Sequence, residues 1–207
     1  MAISAQQYAE LQRRLAGGKA DASKAKSSKA GKDVPVGATI SAEIILGLDP
    51  SLRGTGYGLI RVAKPRPVLL ACGTLHCPAG WERSHCLAHI AGSLRELVKL
   101  HRPEVCAVEG LFFAQNLQTA LIMGEARGAG LAVIAEAMVP IYEIAPRKVK
   151  QAIVGHGGAQ KLAVAKMVQR MLGLAEAPAP DAADALALAL AFAQETGRHS
   201  LTPPKRV

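Results

Sequence analysis

A chain of 207 residues, half of them hydrophobic, can bury a sizeable core, so length and composition allow one medium domain or at most two small ones and exclude a wholly unfolded polymer. With aromatics at 3% that core must be aliphatic and alanine-rich, and the formal net charge of +9 favours a polyanionic partner, nucleic acid or a membrane surface. A bilayer-spanning segment is excluded by pattern: the apolar run 182–193 is too short and is interrupted by Asp184.

Residues 1–42 read as a flexible basic extension. Lys19, Lys24, Lys26, Lys29 and Lys32 sit among Ala, Ser and Gly, a composition that cannot bury enough surface to order itself. The first thirty residues also lack the apolar stretch of a signal peptide, so a cytoplasmic protein is expected. Seven of the nine excess positive charges lie in this extension and in a second tail, residues 196–207, so charge alone says little about the domain between them, residues 43–195.

Within that domain Ile44–Leu48 is a continuous apolar run and predicts a buried strand, ended by Asp49-Pro50. Ser51–Gly56 reads as a tight loop, followed by a strand over Tyr57–Ala63, a proline turn at 64–67 and a third strand over Val68–His76. Glu82–Leu100 has the period of an amphipathic helix, with Leu87, Ile90, Leu94 and Leu97 on one face. Val105–Val108 is a short buried strand ending at Glu109. A long helix rich in Ala and Gly covers Leu117–Met138, and Pro140–Ile144 forms the fifth strand. Helices over Pro146–Val154, Ala159–Leu172 and Asp181–Gln194 complete the chain, separated by a glycine break at 155–158 and by Pro178 and Pro180. Three strands joined by short turns must be antiparallel, and the next two arrive through helical crossovers. The expected fold is therefore α/β: a mixed five-stranded sheet flanked by helices, the ribonuclease H-like arrangement.

Cys72, Cys77, Cys86 and Cys106 fit no disulfide framework for a chain of this size. Cys72, His76, Cys77, His85, Cys86 and His89 crowd together in sequence but match no standard zinc spacing, and read as buried thiols and solvent histidines.

The acids carry more information. Asp49 and Glu109 each stand at the C-terminal end of a buried strand, where a carboxylate is costly unless something stabilises it and where sites in such sheets lie. Either alone is better read as a turn residue; both together, in adjacent central strands, shift the balance. Asp181 and Asp184, three apart, share a helix face, although Asp181 could cap the helix and Asp184 close a capping box. Four acids from two strand ends and one helix make an oxygen-donor set suited to Mg²⁺, and two such ions can drive in-line phosphodiester cleavage. Nearby, Arg147, Lys148, Lys150, Lys161, Lys166 and Arg170 fall in a stretch without a single acid, either a solvated helix face or a phosphate-holding surface. Phe112 and Phe113, two of only three phenylalanines, are adjacent just past Glu109, as core residues or as a wedge that stacks on bases.

Five segments taken together resemble the RuvC family of Holliday-junction resolvases: Leu46-Gly-Leu-Asp-Pro with Gly54-Thr-Gly-Tyr-Gly58; Val108-Glu-Gly-Leu-Phe112 with Asn116; Gly124-Glu-Ala-Arg-Gly128; Val149-Lys-Gln with Gly155-His-Gly and Ala159-Gln-Lys161; and Asp181-Ala-Ala-Asp-Ala-Leu-Ala187. The resemblance runs in order from about Ile44 to Ala193. It implies a homodimeric, Mg²⁺-dependent crossover junction endodeoxyribonuclease, with Mn²⁺ a possible substitute, that makes paired nicks in four-way junction DNA during recombination and repair. It assigns Asp49, Glu109, Asp181 and Asp184 as metal-binding acids, Lys150 and Lys161 as basic residues beside them, and Phe112 as the aromatic that engages bases. A branch-migration motor complex is the implied partner. One departure stands out: Ser51 occupies a position where the family commonly has glycine, so Ser51 must tolerate whatever backbone conformation that glycine permits. Two rival functions remain, a non-catalytic junction-binding protein and an ATPase of the actin and sugar-kinase type. The second would need two such domains.

Overall fold

In the computed structural model, which describes residues 42–110, 117–196 and 204–207, the apolar run Ile44–Asp49 forms β1 at the middle of the sheet. β2 (Gly54–Arg61) and β3 (Val68–His76) continue it as an antiparallel meander. Helix α1 (Arg83–His101) returns the chain to β4 (Val105–Glu109), parallel to β1, and α2 (Leu117–Glu136) returns it to β5 (Ile141–Ile144), parallel to β4. Helices α3 (Pro146–Val154), α4 (Lys161–Leu172) and α5 (Pro180–Thr196) follow. The five expected strands are all present. A sixth, β6 (Lys205–Arg206), pairs antiparallel with β5, giving the order β3-β2-β1-β4-β5-β6. It comes from the segment read as a tail, because two charged residues offer no apolar pattern to announce a strand.

Alternation along the strands sorts their side chains into two cores. Ile45 of β1, Val105 and Ala107 of β4, and Tyr142 and Ile144 of β5 pack with α3, α4 and α5. Leu46, Leu48, Cys106, Val108 and Ile141 point the other way and pack with α1 and α2. On α1 the fully buried stripe is Cys86, Ile90, Leu94 and Val98, with Leu87 and Leu97 half-buried at its margins. Cys77, Cys86 and Cys106 lie in this second core as free thiols, while His76 and His85 are exposed.

Helix α5 is buried over almost its whole circumference from Ala182 to Phe192, which a single-faced amphipathic helix would not be. It lies directly on a floor of glycines. A β-carbon on Gly47 would fall 1.9 Å from the carbonyl oxygen of Ala185, one on Gly56 2.1 Å from that of Asp181, and one on Gly58 2.7 Å from the Leu186 side chain. Gly54 and Gly56 therefore belong, with Gly58, to a strand and not to the tight loop expected over Ser51–Gly56; β2 begins at Gly54. Glycine at alternate positions of a strand is what close approach of another backbone demands. The loop proper is shorter, with the Ser51 Oγ accepting from the Gly54 amide at 3.1 Å and the buried Thr55 hydroxyl donating to the Ser51 carbonyl at 2.6 Å. Ser51 is not among the residues with positive φ, so no glycine-only conformation is asked of it. Among the described residues no helix is long and apolar enough to cross a membrane.

Candidate active site

The strand alternation that places Ile45 and Gly47 under α5 places Asp49 there too, and the series Val105, Ala107 does the same for Glu109. The parallel pairing of β1 and β4 runs through Leu48 opposite Val108, so the two acids stand side by side one step further on. The first turn of α5 covers this end of the sheet. Asp181 lies within that turn, which starts at Pro180, rather than capping it from outside. Its carboxylate Oδ2 would be 3.0 Å from a β-carbon on Gly54. The missing side chains of β2 thus let Asp181 come down onto the strand next to Asp49. Asp184 follows on the same helix, half-buried among the otherwise buried Ala182, Ala183 and Ala185.

The electrostatics follow from this crowding. Burial pushes the Asp49 carboxyl up from 3.8 to about 7, and the charges of Glu109, Asp184 and Asp181 push in the same direction against Lys161. Glu109 is raised as well, first by burial and then by Asp184, while Lys161, Lys150 and Arg127 oppose the rise. The acids feel one another through a partly desolvated space and call for a positive charge. Lys161, the first residue of α4, supplies part of it: its Nζ donates to Asp184 Oδ2 at 2.7 Å, a bond that raises the lysine in turn. Among the described residues no three His, Cys, Asp or Glu side chains form a ready-made metal cage. The donors are nonetheless hard carboxylate oxygens under mutual repulsion, which suits Mg²⁺ or Mn²⁺.

The basic residues separate by place. Lys150, on α3, lies near enough to Glu109 to lower its pKa. Lys148, on the same helix, is felt instead at Glu195 near the end of α5. Arg147 is exposed over the glycine break, with its Nε 3.5 Å from where a Gly157 β-carbon would be. Phe112 and Phe113 lie outside the described residues, in the segment 111–116. Two features were not anticipated from sequence. One is the glycine floor, whose alternate spacing was a usable signal. The other is Arg127 of α2, buried at 7% exposure, which donates to the Glu109 carbonyl through Nη1 and to Glu143 Oε1 through Nη2 at 3.0 Å.

Residues 45–192 match the family described as Crossover junction endodeoxyribonuclease RuvC. A protein of that description from Chromohalobacter salexigens is 42% identical over 166 residues, 80% of this chain and 88% of the relative. Another from Pelotomaculum thermopropionicum is 43% identical over 72% of this chain and 92% of its own length. Among solved structures, Thermus thermophilus RuvC in complex with Holliday junction substrate superposes with a TM-score of 0.72 at 36% identity, covering 80% of this chain and 99% of that one. The yeast mitochondrial Holliday junction resolvase Ydc2 shares the fold at a TM-score of 0.55 and 12% identity, over 80% of this chain and 84% of its own.

Proposed function

Because this chain belongs to the RuvC family and is thus a crossover junction endodeoxyribonuclease, a Holliday junction resolvase, we propose that Asp49, Glu109, Asp181 and Asp184 are the acids that hold its divalent ions and direct cleavage of the DNA strand. The observation that carries this is the convergence of two strand ends and one helix turn, with Asp49 raised to about 7 by burial and by the other three acids. Two Mg²⁺ ions, or Mn²⁺ in their place, would activate a water and stabilise the leaving oxygen of an in-line displacement. The chain's own residues do the rest.

The four carboxylates fix where the attacked phosphodiester must lie, at the C-terminal end of β1 and β4 beneath α5. Lys161 holds Asp184 before DNA arrives, and its exposed ammonium is placed to hold a phosphate once the acids are neutralised. Lys150, near enough to Glu109 to be felt there, serves in the same capacity, and Arg147 and Lys148 add further positive charge on α3. Phe112 and Phe113, close in sequence to Glu109, are the aromatics proposed to stack on bases unpaired at the crossover. The four-way junction is the substrate proposed for this chain, and its approximate two-fold symmetry fits a homodimer that nicks two strands in register. The outward face of α2 supports such a pairing: Leu117 and Leu121, one turn apart, are exposed on it. Lys-rich residues 19–32 add salt-sensitive affinity, and a branch-migration motor is the expected protein partner.

The test is a synthetic four-way junction incubated with the full chain and Mg²⁺, with nicks mapped on all four strands. Paired nicks at related positions are expected. Asp49→Asn should lower the nicking rate by about a thousandfold or more while junction binding is kept, since it removes one ligand and one charge. Full activity of purified Asp49→Asn would remove Asp49 from the role given to it.

A further inference from the structure

The segment Gly124–Gly128 has so far no part in the chemistry, yet it contains the one charged residue that the described structure buries, Arg127. Its surroundings are specific. Arg127 projects from α2 into the core on the face of the sheet opposite α5. One arm of the guanidinium donates to the main-chain carbonyl of Glu109, the other to the carboxylate of Glu143 at 3.0 Å. Glu143 belongs to β5, next to Ile144, which is the register partner of Glu109. The amide that follows, Gly110 N–H, donates to the Ile144 carbonyl at 2.9 Å. The Cγ of Glu143 stands 3.3 Å from where a Gly110 β-carbon would be. The peptide after Glu109 is therefore held at both ends, its oxygen by Arg127 and its nitrogen by β5. A peptide so held fixes the backbone torsion that sets the direction of the Glu109 carboxylate on the far side of the sheet.

We propose that Arg127 is a positioning residue for Glu109: braced on Glu143, it grips the Glu109 carbonyl through the sheet and so sets the affinity of the four-acid site for its divalent ions. The inference rests on the four-acid reading given above. The fork of an arginine is needed because two acceptors on different strands are held at once; a lysine ammonium keeps the charge but not the fork. The neighbouring Glu125 is engaged elsewhere, accepting from Arg83 at 3.0 Å and tying α2 to the start of α1, so the motif supplies one strut within the helical layer and one through the sheet. Groups that orient metal ligands without touching the ion commonly change affinity by about 10- to 100-fold when removed.

The test uses the full chain and Mg²⁺ alone, read in two ways: the rise in thermal midpoint with added Mg²⁺, which needs no turnover, and the Mg²⁺ dependence of junction nicking. Wild type is expected to show the rise, and Glu109→Gln to lose most of it. Without a rise in wild type, the four-acid reading fails and this inference fails with it. With that reading standing, Arg127→Lys should need about tenfold more Mg²⁺ in both measurements, while the rate at saturating Mg²⁺ falls by no more than about threefold. Glu143→Gln leaves Arg127 an acceptor and no unpaired carboxylate, so it should fold even where Arg127→Lys does not. It is expected to raise the Mg²⁺ requirement by roughly threefold. A purely structural Arg127 would instead lower the midpoint without metal and leave the Mg²⁺ requirement unchanged. That result in Glu143→Gln, or in a folded Arg127→Lys, overturns the proposal.

Discussion

The two faces of the sheet are packed on opposite principles. Toward α1 and α2 the strands present Leu46, Leu48, Cys106 and Val108, and side chain meets side chain in the ordinary way. Toward α5, near the acids, they present glycine, and backbone meets backbone. The first arrangement can absorb change, because rotamers shift and neighbours give. The second cannot, and it is the one that brings Asp181 onto the strand beside Asp49. Stability is distributed over both faces, but the relative placement of the acids depends on the glycine side and on the arginine that reaches through from the other.

The same substitution should therefore have opposite consequences on the two sides. Gly47→Ala and Gly56→Ala thrust a methyl to within 1.9 and 2.1 Å of helix carbonyl oxygens. A loss of about 3 kcal/mol or more is expected, at or above the upper end of ordinary overpacking, together with most nicking activity. Chemical denaturation and the junction assay check both. Gly130→Ala, on α2, meets Leu48 and Leu94 side-chain carbons at 3.1 and 3.3 Å, which can move aside, so a change within about 1 kcal/mol is expected. Gly92→Ala, inside α1 with open space around it, should stabilise by roughly 0.5–1 kcal/mol and leave cleavage unchanged. A destabilised Gly92→Ala, or an indifferent Gly56→Ala, would break the contrast.

A gentler probe of the acid side is pH. Asp49 has a carboxyl near 7 in the folded chain and 3.8 as the ordinary value, so between these the folded state binds more protons than the unfolded. Stability of the metal-free protein should then fall as pH rises from about 4 to about 7 and lose this dependence above. Glu109 and Glu195 act in the same direction. Thermal midpoints measured against pH in chelator should show a shallower fall for Asp49→Asn than for wild type, and saturating Mg²⁺ should flatten the wild-type curve. Identical slopes for the two proteins would mean that Asp49 is not held against ionisation.

The contrast also explains what could be read from the residues in order. Periodicity carried the strands and helices, since it reports which side of an element meets the core. The acids at the ends of Ile44–Leu48 and Val105–Val108 were legible because charge following a buried run is unusual. Gly54 and Gly56 were misplaced into a loop because glycine is an ordinary turn residue; only their alternate spacing with Gly58, matched to a helix with no outward face, marks a floor. Arg127 was visible as part of a motif, but its two acceptors lie 18 and 16 residues away, on separate strands, and no local pattern reports such a clamp. The strand β6 was missed because its two residues are held by the neighbouring edge and not by hydrophobicity.

A junction made of bare peptide units has no side-chain torsions to adjust. The separation of the main chains that carry Asp49 and Asp181 is thereby set by atomic radii, as a ruler inherits its graduations. Randomising Gly47 and Gly56 together and selecting for active enzyme should accordingly return glycine at both, while Gly92 in the same library drifts freely.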